Sequence, residues 1–427
     1  MASRPQRCIL LIASLLAISG CATAPRAYVE PPPLTLAART ALNVKAFDTA
    51  WRLVDKKYFD PQFRGVDWDA LRPKYRPLAA AATDDRELYR VLNAMCAELR
   101  ESHLSALAPR RAHEIQTARR MAVGMGWVAL DGRQVVTELI PDGPAENAGV
   151  QLGWIVTTCD GRPLFDGPPP TPQPGRAVTY GFLDLENQPR SIIFQLQLLR
   201  FEQSVARELP GGFHYLRFDR FSRDSLHWLS EQLKTHRAAP GVVIDLRENP
   251  GGNVFACQVA VGEFFDRTVP TGEHVKRSGA ARSSRGIPLL SARYPGRVVV
   301  LTGNATGSAA EMFAHVLQHQ RRATIVGRRT AGAVIISRSY PLPGGGALQV
   351  PIQDYRGLDG QRLEGRGVMP DVIVPRPALA DIRTGRDPDL EMALIALAAP
   401  DDSRQGRLAA QTERPPETGA RSDAALQ

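Results

Sequence analysis

The sequence predicts a multidomain α/β protein: a helical N-terminal domain, a β-rich middle domain and an α/β core. Three observations carry this. Apolar residues recur at three- and four-residue spacing between Val44 and Leu107. Short β-branched runs without that spacing fill residues 121–199. From Phe213 onward such runs alternate with amphipathic helical stretches, as in an α/β core. A chain of 427 residues with 43% hydrophobic and 23% charged residues has room for two or three such domains. Its net charge of +9 is spread along the chain without a block of one sign. That reads as general surface charge and not as a nucleic-acid surface.

The first segment, residues 1–20, reads as a targeting peptide. Arg4 and Arg7 precede the apolar run "CILLIASLLAISG", which is too short for a comfortable membrane span. Small residues precede Cys21. The arrangement resembles a bacterial lipoprotein signal, which implies cleavage before Cys21 and lipid on its thiol. Ala22 follows in place of a retaining aspartate, so the resemblance implies an outer-membrane anchor facing the periplasm. A plain secretory signal cleaved after "ATA" is the other reading. Residues 21–43 are proline-rich and read as a tether.

Residues 44–112 form the predicted helical domain. "AFDTAWRLVDKKYF" sets Phe47, Trp51, Val54 and Tyr58 on one helix face. "TDDRELYRVLNAMCAELRESH" places Leu88, Val91, Leu92 and Met95 on another, with Thr83 as the expected N-cap and Glu87 in the first turn.

In the middle domain, residues 113–205, "GMGWVAL", "QVVTELI" and "SIIFQLQLL" read as strands. "GPAENAGV" reads as a short helix with Pro144 in its first turn, and "GPPPTPQPGR" as a surface loop. The order of these segments resembles a PDZ domain. The resemblance implies that Gly124–Met125–Gly126 binds a peptide carboxylate through backbone N–H groups. Trp154, which follows Gly153, departs from the family, which usually has aspartate after a glycine at that place.

The core spans residues 206–385, and residues 386–427 read as a short helix and a disordered polar tail. Three of its segments place small residues at strand ends beside helix starts, where α/β sheets bind substrates. "VVIDLRENPGGNV" ends a buried strand at Gly251–Gly252, and "LTGNATGSAAEMFAHVL" ends another at Ser308. "LEGRGVMPDVIV" sets Glu364 before Gly367 and Pro370. Together with "FDPQFRGVDWDALRPKY" and "YLRFDRFS", these resemble the tail-specific, or C-terminal processing, serine protease family over residues 45–385. The resemblance implies an α/β protease core with a crotonase-like sheet and helices.

One departure decides the chemistry. The lysine-using branch of that family carries a lysine some two dozen residues after the serine, following a "T-x-G" turn. Here "GRRTAGAV" puts Ala333 at that place, and no lysine follows Lys276. A serine hydroxyl needs a base, and histidine is the usual one near neutral pH. "LRESHLSAL" supplies Ser102 and His103. Resemblance to the tricorn-like branch implies a tetrad: Ser308 as nucleophile, His103 as base, and Glu364 orienting the imidazole through Ser102. The N–H of Ala309, with that of Gly251 or Gly252, would form the oxyanion hole. Glu364 beside the imidazole should raise its pKa and move the pH–rate rise upward.

Cys96, Cys159 and Cys257 suggest neither a disulfide framework nor a metal site and read as core packing. His315 and His319 are four apart without a third ligand, so both are expected on a solvated face. The reading is an exported, lipid-anchored serine endopeptidase. It would act on peptides or proteins, with the PDZ-like domain recognising or gating C-termini and no cofactor. The alternatives are a non-catalytic binding lipoprotein, and a small-peptide or retinoid-binding relative of the same fold. Oligomeric state is left open.

Overall fold

The structure, a computed structural model, describes residues 27–164, 175–288 and 293–399. Cys21, most of the proline-rich loop and the polar tail lie outside the described residues. No described helix is long and apolar enough to cross a membrane.

The N-terminal unit packs α1 (Leu36–Lys57), α2 (Trp68–Ala81) and α3 (Asp85–Ala97) around one apolar cluster. Phe47, Ala50 and Val54 meet Leu71 and Tyr75 of α2 and Leu88, Leu92 and Met95 of α3. Each large side chain buried this way contributes about 1.5–3 kcal/mol. The start of α3 differs from expectation. Asp84, and not Thr83, is the N-cap: its carboxylate accepts the Glu87 N–H at 2.8 Å. Glu87 reaches back to the Thr83 N–H and hydroxyl at 2.9 and 2.8 Å. A carboxylate caps as well as a hydroxyl, so the adjacent Thr-Asp pair leaves the sequence ambiguous by one residue. After α3 come β1 (Ser105–Leu107) and α4 (Pro109–Thr117).

The middle unit runs through β2 (Arg119–Ala122), β3 (Met125–Leu130), β4 (Arg133–Leu139) and the short α5 (Pro144–Asn147). It continues through β5 (Ile155–Cys159), β6 (Arg162–Pro163), β7 (Ala177–Leu183), β8 (Pro189–Gln195) and β9 (Gln197–Arg200). Its main sheet has the order β3-β4-β5-β7-β8, which leaves β3 as an edge strand. Val136, Val156, Phe182 and Phe194 fill the interior. Trp154 packs edge-on to Phe182, with ring centroids 5.6 Å apart. That apolar contact gives the departure at Trp154 a packing role.

The core begins with β10 (Ser204–Leu209), β11 (Phe213–Phe218), α6 (Arg223–Thr235), β12 (Gly241–Asp245) and α7 (Val254–Gly262). Next come β13 (Val269–Lys276), β14 (Ala281–Gly286), β15 (Arg297–Thr302), α8 (Ala309–His319) and β16 (Thr324–Gly327). It ends with β17 (Ile336–Pro341), β18 (Ala347–Arg356), β19 (Val372–Ile373), α9 (Leu379–Thr384) and α10 (Pro388–Ala398). One sheet has the order β10-β11-β12-β15-β16-β19 and is parallel from β11 to β19.

Both faces of this sheet are covered, as parallel strands require. Val242 and Ile244 pack with α6, α7 and α8, while Val243 between them faces α10. Helix α10 therefore completes the core. Leu390, Ala393 and Leu397 bury against Val299, Leu301 and Val326, and Asp389 accepts from Arg247 and Arg328 at 2.9 and 2.6 Å. The core runs to Ala398 and does not end at residue 385, because this helix buries an apolar face that its short length concealed.

A second sheet, β1-β18-β13-β14 with β17 beside β18, takes its first strand from the helical unit. Ser105 lies opposite Gln349 and Leu107 opposite Ala347. The Asn93 side chain holds the Ala106 N–H and C=O at 2.8 and 2.9 Å. The segment ending in His103 is thereby stitched to the core on one side and to α3 on the other.

Candidate active site

Strands β12 and β15 are parallel neighbours, so their C-terminal ends open at one place on the sheet edge. The turn after β12 carries Gly251–Gly252 and the turn after β15 carries Ser308. Asn249 joins the two turns. Its Nδ2 donates to Phe218 O at 2.8 Å, its Oδ1 accepts the Gly251 N–H at 2.9 Å, and its backbone O accepts the Gly307 N–H at 3.0 Å.

Ser308 has φ 51° and ψ −119°, a strained conformation for a residue with a Cβ. The turn is held by Thr306, whose hydroxyl donates to Leu246 O at 2.7 Å and accepts the Gly303 N–H at 2.9 Å. The Ser308 N–H donates to Ala333 O at 2.9 Å and to Glu311 Oε2 at 3.0 Å.

The geometry separates the three oxyanion candidates. The Gly251 N–H is committed to Asn249, so it is not a free donor. Among the described residues no acceptor takes the N–H of Gly252 or of Ala309. Gly251 has a steric role: a Cβ there would lie 2.6 Å from Ser308 Cβ and 2.8 Å from Ala309 N. With φ at +104°, it also occupies backbone space that favours glycine.

Glu364 and Ser102, 262 residues apart, form a relay with His103. Glu364 Oε2 accepts from Ser102 Oγ at 3.0 Å, and Oε1 accepts the Ser102 N–H at 3.0 Å. Ser102 Oγ lies 2.7 Å from His103 Nδ1. A serine hydroxyl has one proton. If Ser102 gives it to Glu364, Nδ1 must carry the proton shared with Ser102, and Nε2 keeps the lone pair. That is the tautomer a general base requires. The loop bearing this pair is anchored by Glu101, which accepts from Tyr58 Oη at 2.9 Å and from Arg64 at 2.8 Å.

Burial lowers the His103 pKa below its ordinary value, and the Glu364 charge opposes this with a smaller effect. The net direction is the reverse of the expectation from Glu364 alone, because the imidazole is largely removed from water. No hydrogen bond joins His103 to Ser308. Catalytic pairs are often long before substrate closes the site.

The remaining site residues fall elsewhere. Gly124, with φ +82°, precedes edge strand β3, and its carbonyl accepts the Ile140 N–H at 2.8 Å. Met125 pairs with Leu139 and Gly126 with Glu138. Glu138 accepts from Arg217 of β11 at 2.6 Å, which ties this hairpin to the core. His315 is buried, not solvated: its Nε2 accepts the Leu358 N–H at 3.0 Å, and burial takes its pKa down to about 4. Cys96, Cys159 and Cys257 are buried and free. Among the described residues no group of three or more His, Cys, Asp or Glu side chains is placed to hold a metal ion.

Sequence reasoning missed Glu311. In the sequence it is an acidic residue in the first turn of α8, ordinary for a helix start. In the structure it is fully buried and accepts from Ser308 N, Thr330 Oγ1, Gly332 N and Ala333 N.

Known proteins resemble this chain in sequence and in fold. Residues 212–374 match peptidase family S41, and residues 44–97 match the tricorn protease C1 domain. The chain is 27% identical to tricorn protease homolog 2 of Streptomyces coelicolor, over 82% of this chain and 32% of that protein. It thus spans about a third of that relative. It is also 27% identical to the carboxyl-terminal-processing protease of Synechocystis, over 82% of this chain and 85% of the relative. Among solved structures, the photosystem II D1 C-terminal processing protease superposes with a TM-score of 0.53 at 24% identity. That match covers 84% of this chain and 97% of that one. The tricorn protease gives 0.53 at 19% identity, over 84% of this chain and 36% of that one. The mixed α/β fold is therefore that of these proteases, with the peptidase family S41 match over residues 212–374 and the tricorn protease C1 match over residues 44–97.

Proposed function

We propose that this chain is a serine endopeptidase in which Ser308 attacks the peptide carbonyl and His103 Nε2 takes its proton. Glu364, through Ser102, holds the imidazole and offsets its positive charge. The Gly252 and Ala309 N–H groups receive the oxyanion. Such a donor is worth about 3 kcal/mol at the transition state. His103 then returns the proton to the leaving amine, and water repeats the cycle on the acyl-enzyme. One observation carries the reading: a strained serine stands beside two N–H groups that find no acceptor among the described residues, while a carboxylate–hydroxyl–imidazole chain joins Glu364 to Ser102 and His103 across 262 residues.

The carboxyl-terminal-processing relatives support peptide or protein substrates. The middle domain, read as PDZ-like, would take a substrate C-terminus at Gly124–Met125–Gly126 by adding a strand to the open edge of β3. Cys21 would carry the lipid that holds the enzyme on the envelope membrane.

The competing reading is a binding protein without catalysis. It draws on Ala333 standing in the lysine position and on the missing His103–Ser308 hydrogen bond. Reaction with a fluorophosphonate, followed by mapping of the modified peptide, separates the two. Modification at Ser308 that requires His103 supports the peptidase. No modification of the folded wild type supports the binding protein.

A further inference from the structure

The backbone of residues 330–334, which includes Ala333 at the place where the sequence resemblance expects a lysine, is suspended between two carboxylates. On one side Glu311 Oε1 accepts the Gly332 N–H at 2.7 Å and Oε2 accepts the Ala333 N–H at 2.9 Å. On the other, Glu364 Oε2 accepts the Val334 N–H at 2.7 Å. Glu311 also holds the nucleophile, accepting the Ser308 N–H at 3.0 Å, while Ala333 O takes that same N–H at 2.9 Å. Glu364 also holds Ser102. Three consecutive N–H groups thus span the distance from the Ser308 turn to the relay.

We propose that Glu311 is a positioning residue that sets the nucleophile against the relay, acting through the 330–334 strap. The inference rests on reading Ser308 as the nucleophile. Every group facing Glu311 is a donor. Thr330 Oγ1 already accepts the Val368 N–H at 2.7 Å, so its proton points to Glu311 Oε1 at 2.5 Å. Four donors converge on a carboxylate that is 0% exposed, and no ion pair to it is formed among the described residues. A neutral carboxyl would set its own proton against a donor. The ionised form is the one this cage fits, and burying it is costly unless all its lone pairs are used. The strap is also paired to the Glu364 loop: the Gly365 N–H donates to Gly332 O at 2.7 Å, and the Thr330 N–H to Val368 O at 3.1 Å. A change at Glu311 therefore moves Ser308 and Glu364 relative to each other without touching substrate.

Glu311→Gln keeps the side-chain size but turns an NH2 group toward two donors in either orientation: Ser308 N–H and Ala333 N–H at the Oε2 place, or Gly332 N–H and the Thr330 hydroxyl at the Oε1 place. The strap must shift, and a shift of about 1 Å in a catalytic group costs about 100-fold in rate. The experiment measures kcat and KM on a peptide ester, together with hydrogen exchange of the Gly332, Ala333 and Ser308 amides. In E311Q kcat is expected to fall about 100-fold with KM within about twofold, and the three amides to exchange faster. Glu311→Asp, which keeps the charge, should recover part of kcat. A folded E311Q with wild-type kcat, or with its whole loss in KM, overturns the proposal. If E311Q does not fold, Thr330→Val removes one donor. A several-fold loss in kcat is then expected, and an unchanged kcat overturns the proposal. If the wild type neither hydrolyses the ester nor reacts with a fluorophosphonate, it is the peptidase reading that falls. The strap assignment is then decided by exchange alone, and unchanged protection of Gly332 and Ala333 in E311Q removes it.

Discussion

Glu364 grips Ser102 with both carboxylate oxygens, one on the hydroxyl and one on the backbone N–H, each at 3.0 Å. The hydroxyl in turn meets His103 Nδ1 at 2.7 Å. No direct hydrogen bond joins Glu364 to His103, so the hydroxyl is the link between charge and ring.

Removing that link is the first prediction. Ser102→Ala should lower kcat by about 100-fold, less than the roughly 10⁴-fold loss seen when a triad carboxylate is replaced and the tautomer is wrong. KM should change little, because Ser102 faces the imidazole and Glu364. Ser102→Thr, which keeps the hydroxyl, should restore most of the rate. Steady-state kinetics on the three proteins check this. Equal rates for S102A and wild type would mean that Glu364 does not act through Ser102.

The pH dependence follows from burial of His103. The base works only as neutral imidazole, so activity is lost as pH falls through its pKa. Burial lowers that pKa from the ordinary 6.5, and Glu364 pulls it partly back up. The rise in kcat/KM should therefore be centred below about pH 6.5. Glu364→Gln removes the only upward contribution, so it should move the rise further down while slowing the reaction. A pH–rate profile of acylation for both proteins tests the two signs separately. A midpoint above 7 in wild type would contradict the burial argument.

Helices α1, α3, α6 and α8 and strands β11, β12, β15 and β16 were legible because each is local, a periodicity or a short β-branched run within about twenty residues, whereas β13, β14, β17 and β18 were not read. What escaped was long-range or one atom wide. Pairing of β1 with β18 joins Ser105 to Gln349, and no local pattern announces it. Gly251 and Gly252 look equivalent in sequence. Only the Asn249 side chain, which takes one of the two N–H groups, tells them apart. Glu311 resembles any first-turn glutamate until the strap 19–22 residues later folds over it. His315 has the spacing of a surface pair with His319, but the Leu358 turn covers it.

Gly251 supplies the third prediction. In Gly251→Ala the new Cβ would meet Ser308 Cβ at 2.6 Å, Gly307 O at 2.7 Å and Ala309 N at 2.8 Å. These are mostly backbone atoms of the nucleophile turn, which cannot swing aside as a side-chain tip can. Ser308 and the Ala309 N–H must move together, so kcat should fall on the order of 10²- to 10³-fold, as for loss of an oxyanion donor. A peptide-ester assay with circular dichroism as the folding control measures it. A folded G251A with wild-type kcat would show that the turn has slack this packing does not provide.

The last prediction uses the backbone of Ser308 itself. Its φ of 51° with ψ −119° is costly for any residue with a Cβ, by about 1–3 kcal/mol. Alanine keeps the Cβ and so keeps the strain, whereas glycine relieves it. Glycine also gains freedom in the unfolded chain, which offsets about 0.5–1 kcal/mol of the relief. Ser308→Ala and Ser308→Gly should both be inactive, since neither has a nucleophile. They should differ in stability, with S308G the more stable by about 1 kcal/mol. The comparison cancels the loss of the hydroxyl, which both variants share, and isolates the backbone term. Urea unfolding followed by tryptophan fluorescence, to which Trp228 of α6 contributes from its place against the core, reads the difference. If S308G is the less stable of the two, the turn is not strained at Ser308, and the serine must owe its position to the Glu311 and Ala333 hydrogen bonds to its N–H alone.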